Sequence, residues 1–282
     1  MIKKSLFALL QRVSLLLSGT GIAKNKFIFS LYQSILRLLK QKTVITEGSK
    51  MILDSQDTLL LSIYPNFEPG ETAVIKKYLK SGMISVDAGA NIGYFTLLMA
   101  RLVGPSGQVH AFEPGKENVA LLKKNVKLNS YDSVTVNNSA VSSKSGSLIF
   151  YLSDTNPQDH RIIKDTSEDR KSYSVKAITL DNYFGSKKVD FIKMDIQGAE
   201  LLALEGSHKI LSKYHPILVI EYWPYGILQA GRKPEELFSI LEKYHYSLKL
   251  INQKNGSLTK IDKKKLLSVR SPLDIFNFLC TA

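Results

Sequence analysis

The stretch Val86-Asp87-Ala88-Gly89-Ala90-Asn91-Ile92-Gly93 decides the fold. The short apolar run Ile84–Ala88 that leads into it reads as a strand. The apolar residues Tyr94–Leu102 that follow read as a helix. Glycines suit the turn between them, because they adopt positive φ and let a backbone approach a ligand closely. Working outward, strand Val109–Phe112, helix Lys116–Leu128 and strand Val134–Asn137 continue the alternation, and Ser147–Leu152 and Tyr173–Thr179 read as further strands. The rhythm resumes with strand Phe191–Met194, helix Ala199–Tyr214, strand Ile217–Glu221 and helix Pro234–Tyr244, and Tyr246–Asn252 and Ile275–Leu279 make a closing strand pair. Alternation of this kind predicts an α/β fold, a mostly parallel sheet flanked by helices. The polar segment 153–172 is too long for an ordinary connection and is expected to be a substrate loop.

The 282 residues suffice for one such domain with additions. Residues 1–50 are expected to form a basic amphipathic helical extension, 51–82 a lead-in of strands and a helix, and 83–282 the Rossmann-like domain. The net charge of +13 is uneven, since residues 1–50 carry nine lysines and arginines against the single acid Glu47. Such a surface is either a solvated face or meets an anionic partner. Leu6–Leu17 is interrupted by Gln11 and Arg12 and is too short to span a bilayer, while Phe27, Ile28, Leu31, Ile35, Leu38 and Leu39 recur at helical spacing. The two short helices are expected either to pack on the domain or to make peripheral contact with an anionic membrane through residues 1–45. The single cysteine, Cys280, excludes an intrachain disulfide and fits a reducing, cytoplasmic setting.

A dinucleotide site requires G-x-G-x-x-G, so that a pyrophosphate rests on the helix N-terminus. Here Asn91 occupies the second glycine position. Glu113 ends the next strand 20 residues after Gly93, where a carboxylate can accept hydrogen bonds from both ribose hydroxyls of a nucleoside. Asp87 suits a cationic amino acid tail and would repel a pyrophosphate. Adenosine without phosphates points to S-adenosylmethionine, held by Asp87, Gly89, Asn91, Gly93 and Glu113. No His/carboxylate spacing argues for a metal.

Three blocks, Val86–Gly93, Phe112-Glu113-Pro114 and Ile192-Lys193-Met194-Asp195-Ile196-Gln197-Gly198-Ala199-Glu200, match V-D-x-G-A-N-x-G, F-E-P and I-K-x-D-x-E-G-x-E in order. The chain therefore resembles the FkbM family of methyltransferases over about residues 80–250, including Asn138-Ser139-Ala140-Val141 and Thr179-Leu180-Asp181. The resemblance implies a Rossmann-like class I methyltransferase fold with a mixed, mostly parallel seven-stranded sheet. It also implies S-adenosylmethionine as donor and a hydroxyl acceptor on a sugar, glycan or secondary metabolite. Asn138, Ala140 and Asp195 join the cofactor-binding candidates on the same ground. One position departs from the pattern: Gln197 stands where the family has Glu, so a contact or base at that place has no carboxylate here.

Lys193 and Asp195 alternate onto one side of a strand expected to be buried on both faces, near the end where open α/β sheets bind ligands. That placement favours a site role over a structural ion pair. A positioned base assists methyl transfer to a hydroxyl, and the candidates in order are Asp195, His160 and Glu221. Asp159 and Arg161 flank His160 in the polar loop and join Lys193 and Trp223 as acceptor-binding candidates. Glu221 lies beside Tyr222 and Trp223, a carboxylate with aromatic faces suited to a sugar. Glu200 reads equally well as a charge favouring a helix start. Two other classes fit less well. A nucleotide-dependent oxidoreductase lacks its second glycine, and a basic nucleic-acid-binding protein lacks aromatic platforms among its basic residues.

Overall fold

The computed structural model describes residues 41–62, 64, 66–153, 160–163 and 170–282. The two basic helices expected within residues 1–40, and Asp159, lie outside the described residues. The chain divides into two compact units, Met1–Phe67 and Glu68–Ala282.

In the first unit β1 (Thr43–Thr46) pairs antiparallel with β2 (Ser49–Ile52) across Glu47-Gly48, both at positive φ. A two-residue turn of that hand matches the twist of the paired strands. The helical extension expected to reach residue 50 is thus corrected from residue 43 onward, where the β-branched run Thr43-Val44-Ile45-Thr46 favours a strand. The break expected at Asp54 to Asp57 is made by side chains. Asp54 accepts the Gln56 and Thr58 backbone N–H groups, and Asp57 accepts those of Leu61 and Ser62.

The second unit opens with α1 (Pro69–Tyr78), β3 (Ile84–Ala88), α2 (Tyr94–Val103), β4 (Gln108–Phe112), α3 (Lys116–Leu128) and β5 (Val134–Asn137). Next, β6 (Ala140–Val141), β7 (Gly146–Tyr151) and β8 (Ser172–Ile178) form a separate three-stranded sheet. Then come α4 (Leu180–Phe184), β9 (Phe191–Met194), α5 (Glu200–Glu205), α6 (His208–Tyr214), β10 (Ile217–Tyr222), α7 (Pro224–Gln229) and α8 (Pro234–Lys243). The unit closes with β11 (Ser247–Ile251), β12 (Leu258–Lys260), α9 (Lys263–Ser268) and β13 (Phe276–Thr281).

The main sheet runs β12-β11-β13-β10-β9-β3-β4-β5. It is parallel from β10 to β5 and antiparallel from β10 through β13 and β11 to β12. The expected mixed, mostly parallel sheet is present with eight strands rather than seven, because Leu258–Lys260 adds a short edge. α1 belongs to this unit, not to a separate lead-in. The Gly70 N–H donates to the Gln253 carbonyl at 2.9 Å, and a Cβ at Gly70 would lie 2.3 Å from the Asn252 oxygen, so only glycine lets α1 dock on the β11–β12 turn.

The helix expected over Ala199–Tyr214 breaks at Gly206-Ser207. A Cβ at Gly206 would come within 2.1 Å of the Ser142 carbonyl oxygen, and the Asp181 carboxylate accepts the Lys209 and Ile210 N–H groups that open α6. Both partners are distant in sequence. Val86, Ile192, Met194, Leu218, Ile220 and Tyr222 bury one face of the sheet against apolar residues of α5 and α8. Among the described residues no helix is long and apolar enough to cross a membrane.

Tyr222 is fully buried against Phe238 and Phe278, with ring centroids at 5.2 and 5.3 Å, and its hydroxyl has no hydrogen-bond partner among the described residues. A buried unsatisfied polar group costs about 1–3 kcal/mol. Tyr222→Phe is therefore expected to stabilise the protein by about 1 kcal/mol in urea unfolding. A stability loss of that size would show that the hydroxyl is satisfied.

Candidate active site

The sheet changes direction of connection between β3 and β9, and ligands of open α/β sheets bind beyond the carboxyl ends of strands at such a point. The loop after β3 is anchored there from two sides. Gly89 and Ala90 donate their N–H groups to the Phe112 carbonyl at 3.0 and 3.1 Å, and Asn91 donates to Glu113 Oε2 at 2.9 Å. Gly89 has φ +85°, and a Cβ there would sit 1.8 Å from the Asp195 carbonyl oxygen; a Cβ at Gly93 would meet Leu122 at 2.6 Å. These two glycines therefore serve a tight turn and a close approach to the protein's own residues.

Glu113 is only 5% exposed, so it is not the surface-facing carboxylate its place at a strand end suggests. Its Oε1 also accepts the Gly115 N–H at 2.8 Å and the Asn118 amide at 3.4 Å. Two bonds use both lone pairs of Oε1, and Oε2 keeps one for a ligand hydroxyl. Burial, against these hydrogen bonds, pushes the Glu113 carboxyl up to about 7. Asp87 is fully buried. Its Oδ2 accepts the Thr96 hydroxyl at 2.5 Å, while Oδ1 has no hydrogen-bond partner. Burial raises this carboxyl too, opposed first by Lys193.

Register places a polar stripe on one face of the sheet. Asp87 lies beside Lys193, Lys193 beside Val219, and Glu221 opposite Asn277. Lys193 is 2% exposed, its Nζ is 3.0 Å from Asp195 Oδ2, and it lies 4.4 Å from the centre of the Phe95 ring. Burial opposes its charge, but Asp195, Asp87, Glu71 and Glu68 together hold its affinity for the proton above the ordinary lysine value. Gln197 donates from Nε2 to Asp195 Oδ1 at 2.9 Å and to Glu221 Oε1 at 3.4 Å. Burial first, then the Asp195 charge, raises the Glu221 carboxyl well above its usual value.

Four residues of this site escaped the sequence reading. Glu68 and Glu71, at the start of α1, hydrogen-bond each other; burial pushes Glu68 up to about 7 and Glu71 well above the carboxylate range. Both look like ordinary first-turn acids favoured by the helix dipole. Asn277, 5% exposed with its Oδ1 unpartnered, is legible only from its pairing with Glu221. The fourth is Gln197, noticed only as a departure from a pattern. Glu200 folds back onto the Ile196 N–H at 2.8 Å and braces the turn that opens α5.

Other expected residues make contacts within the protein. His160 Nδ1 accepts the Ser153 N–H at 2.9 Å, which fixes the Nε2–H tautomer and leaves no lone pair for a general base. Trp223 is 6% exposed; the Arg161 guanidinium lies 5.2 Å over its ring, Gly226 packs against it, and its indole N–H donates to the Pro272 carbonyl. Its ring therefore offers no open stacking face to a sugar, and Arg161 packs on the residue that follows β10. The Asn138 amide donates to the Glu113 and Pro114 carbonyls at 3.0 Å each, bracing the β4–α3 turn. Ala140 is buried with Phe150 and Val175 in the core of the small sheet.

A model of the methyltransferase FkbM domain matches residues 87–248. Methyltransferase sdnD of Sordaria araneosa is 29% identical over 182 residues, 53% of this chain and 70% of that protein. Methyltransferase 1 of Beauveria bassiana (strain ARSEF 2860) is 30% identical over 143 residues, 43% of this chain and 57% of that protein. The crystal structure of an FkbM methyltransferase from Methylobacillus flagellatus KT is similar at 19% identity and a TM-score of 0.45, over 72% of this chain. The chain spans 44% of the length of that solved chain.

The buried carboxyls set a pH dependence. Burial raises Glu68 and Glu113 to about 7 and Glu200 to about 8 from an ordinary 4.5. Folded values above unfolded ones give stability that is full below the unfolded value and lost as pH rises through the folded one. Burial lowers His110 to about 4, and its contribution runs the other way, lost as pH falls from 6.5 through 4. Above pH 6.5 only the carboxyl effect remains, so the melting temperature of the protein alone is expected to fall between pH 6.5 and 8. A flat or rising profile in calorimetry would contradict this.

Proposed function

The chain belongs to the FkbM methyltransferase family, and from that premise we propose an S-adenosylmethionine-dependent O-methyltransferase acting on a hydroxyl of a sugar, glycan or secondary metabolite. The observation that carries the cofactor assignment is Asp87 Oδ1, an acceptor buried at the foot of the glycine loop with no hydrogen-bond partner among the described residues. It fits the ammonium of an amino acid tail. Glu113, at the other flank of the loop, keeps one lone pair on Oε2 for a ribose hydroxyl, and Gly89–Gly93 contains no basic side chain to meet a pyrophosphate. Asn91 in place of the second glycine disfavours the oxidoreductase alternative.

When bound, S-adenosylmethionine supplies a methyl group on a sulfonium sulfur. The residues at the ends of β9 and β10 then have separable tasks. Asp195, held by Lys193 at Oδ2 and by Gln197 at Oδ1, keeps a second lone pair on each oxygen and takes the proton of the acceptor hydroxyl. Glu221, beside Asp195 and within 3.4 Å of Gln197 Nε2, helps to orient the acceptor. Among the described residues of the segment 153–172, Arg161 packs over Trp223, which follows β10.

Radiolabelled S-adenosylmethionine offered with a panel of glycans and hydroxylated metabolites tests this reading. Transfer to a hydroxyl is expected, and Asp195→Asn is expected to slow it by about 10²–10⁴-fold while S-adenosylhomocysteine still binds. Unchanged transfer by the variant would remove Asp195 as base. Label on nitrogen or carbon acceptors only would overturn the O-methyl assignment.

A further inference from the structure

We infer that Gln197 is a positioning residue, whose side-chain amide clamps Asp195 and Glu221 side by side. Nε2 has two hydrogens and faces one carboxyl oxygen with each, Asp195 Oδ1 at 2.9 Å and Glu221 Oε1 at 3.4 Å. The backbone that aims it is held in place. Gln197 has φ 55° and Gly198 φ 89°, a left-handed pair that side chains other than glycine rarely adopt. A Cβ at Gly198 would lie 2.9 Å from the Gly226 carbonyl carbon, so the turn after β9 is locked against the turn after β10. Strain at a residue with a side chain, maintained by packing on both sides, indicates that the direction of that side chain matters.

The electrostatics explain why an amide suits this place. Around the pair stand Glu68 and Glu71 from α1, Asp87 from β3 and Glu200 from α5, and the cation that faces them is Lys193, already at Asp195 Oδ2. The remaining Asp195 oxygen and its Glu221 neighbour need a donor that brings no further negative charge. Gln197 supplies two N–H bonds and no charge; glutamate, the residue of the family pattern, would bring a third carboxyl between the two. The consequence for catalysis rests on the reading of Asp195 as base. The clamp itself is independent of it and is measurable without donor or acceptor.

Thermal unfolding of the full chain, Gln197→Glu and Gln197→Met from pH 5 to 8.5 tests the clamp. At pH 5 the introduced acid is protonated by its neighbours, keeps one donor, and is expected to melt close to the unsubstituted chain. As pH rises above the unfolded carboxyl value its relative stability is expected to fall, reaching a deficit of about 2–4 °C by pH 8. Gln197→Met, with no donor, is expected to melt lower at every pH. If it fails to fold, the pH profile of Gln197→Glu still decides. A Gln197→Glu profile parallel to the unsubstituted chain up to pH 8.5, or a Gln197→Met variant of undiminished stability, would overturn the proposal.

Discussion

The rest of the site depends on the buried ion pair of Lys193 and Asp195. Removing an ammonium from water costs several kcal/mol even after relaxation, and the cost is recovered only where opposite charge and hydrogen bonds surround it. Lys193, 2% exposed on the central strand, meets that condition with Asp195 at 3.0 Å, Asp87 on the adjacent strand and the Glu68–Glu71 pair of α1. Burial raises the proton affinity of Glu68, Glu71, Asp87 and Glu221, and Lys193 opposes that rise at the first three. Asp195 is set apart by its partners, with Lys193 at one oxygen and Gln197 at the other.

The same few atoms join the glycine loop to this cluster. The Asp195 N–H donates to the Ala88 carbonyl at 3.1 Å, and the Asp195 carbonyl abuts Gly89 so closely that no side chain fits. On the other side Glu113 and the Phe112 carbonyl hold the loop through Asn91, Gly89 and Ala90. The loop that would receive a cofactor and the carboxylate that would receive a proton are thus fixed to one another through backbone. Orientation of this kind is what an in-line transfer between two bound molecules requires.

The order of elements was legible because apolar periodicity switches clearly between strand and helix. Lys116–Leu128, Val134–Asn137 and Phe191–Met194 fall where the pattern places them. Chemistry-bearing residues within motifs were legible for the same reason, since Asp87, Glu113 and Asp195 each sit at a strand end. Long-range contacts were not. Only the fold brings Glu71 over the sheet, sets Asn277 opposite Glu221, breaks a helix at Gly206 against Ser142, or turns the His160 ring to accept a backbone N–H. Trp223 shows the limit of composition most plainly: an aromatic at a strand end suggests a stacking platform, and Arg161 covers it.

Isothermal titration of the purified protein with S-adenosylhomocysteine, with NAD as the parallel titrant, tests the central claim most directly. The account predicts saturable one-site binding of S-adenosylhomocysteine and no binding of NAD. Binding of NAD, or no binding of S-adenosylhomocysteine, would contradict the assignment of Asp87, the glycine loop and Glu113 to a methyl donor.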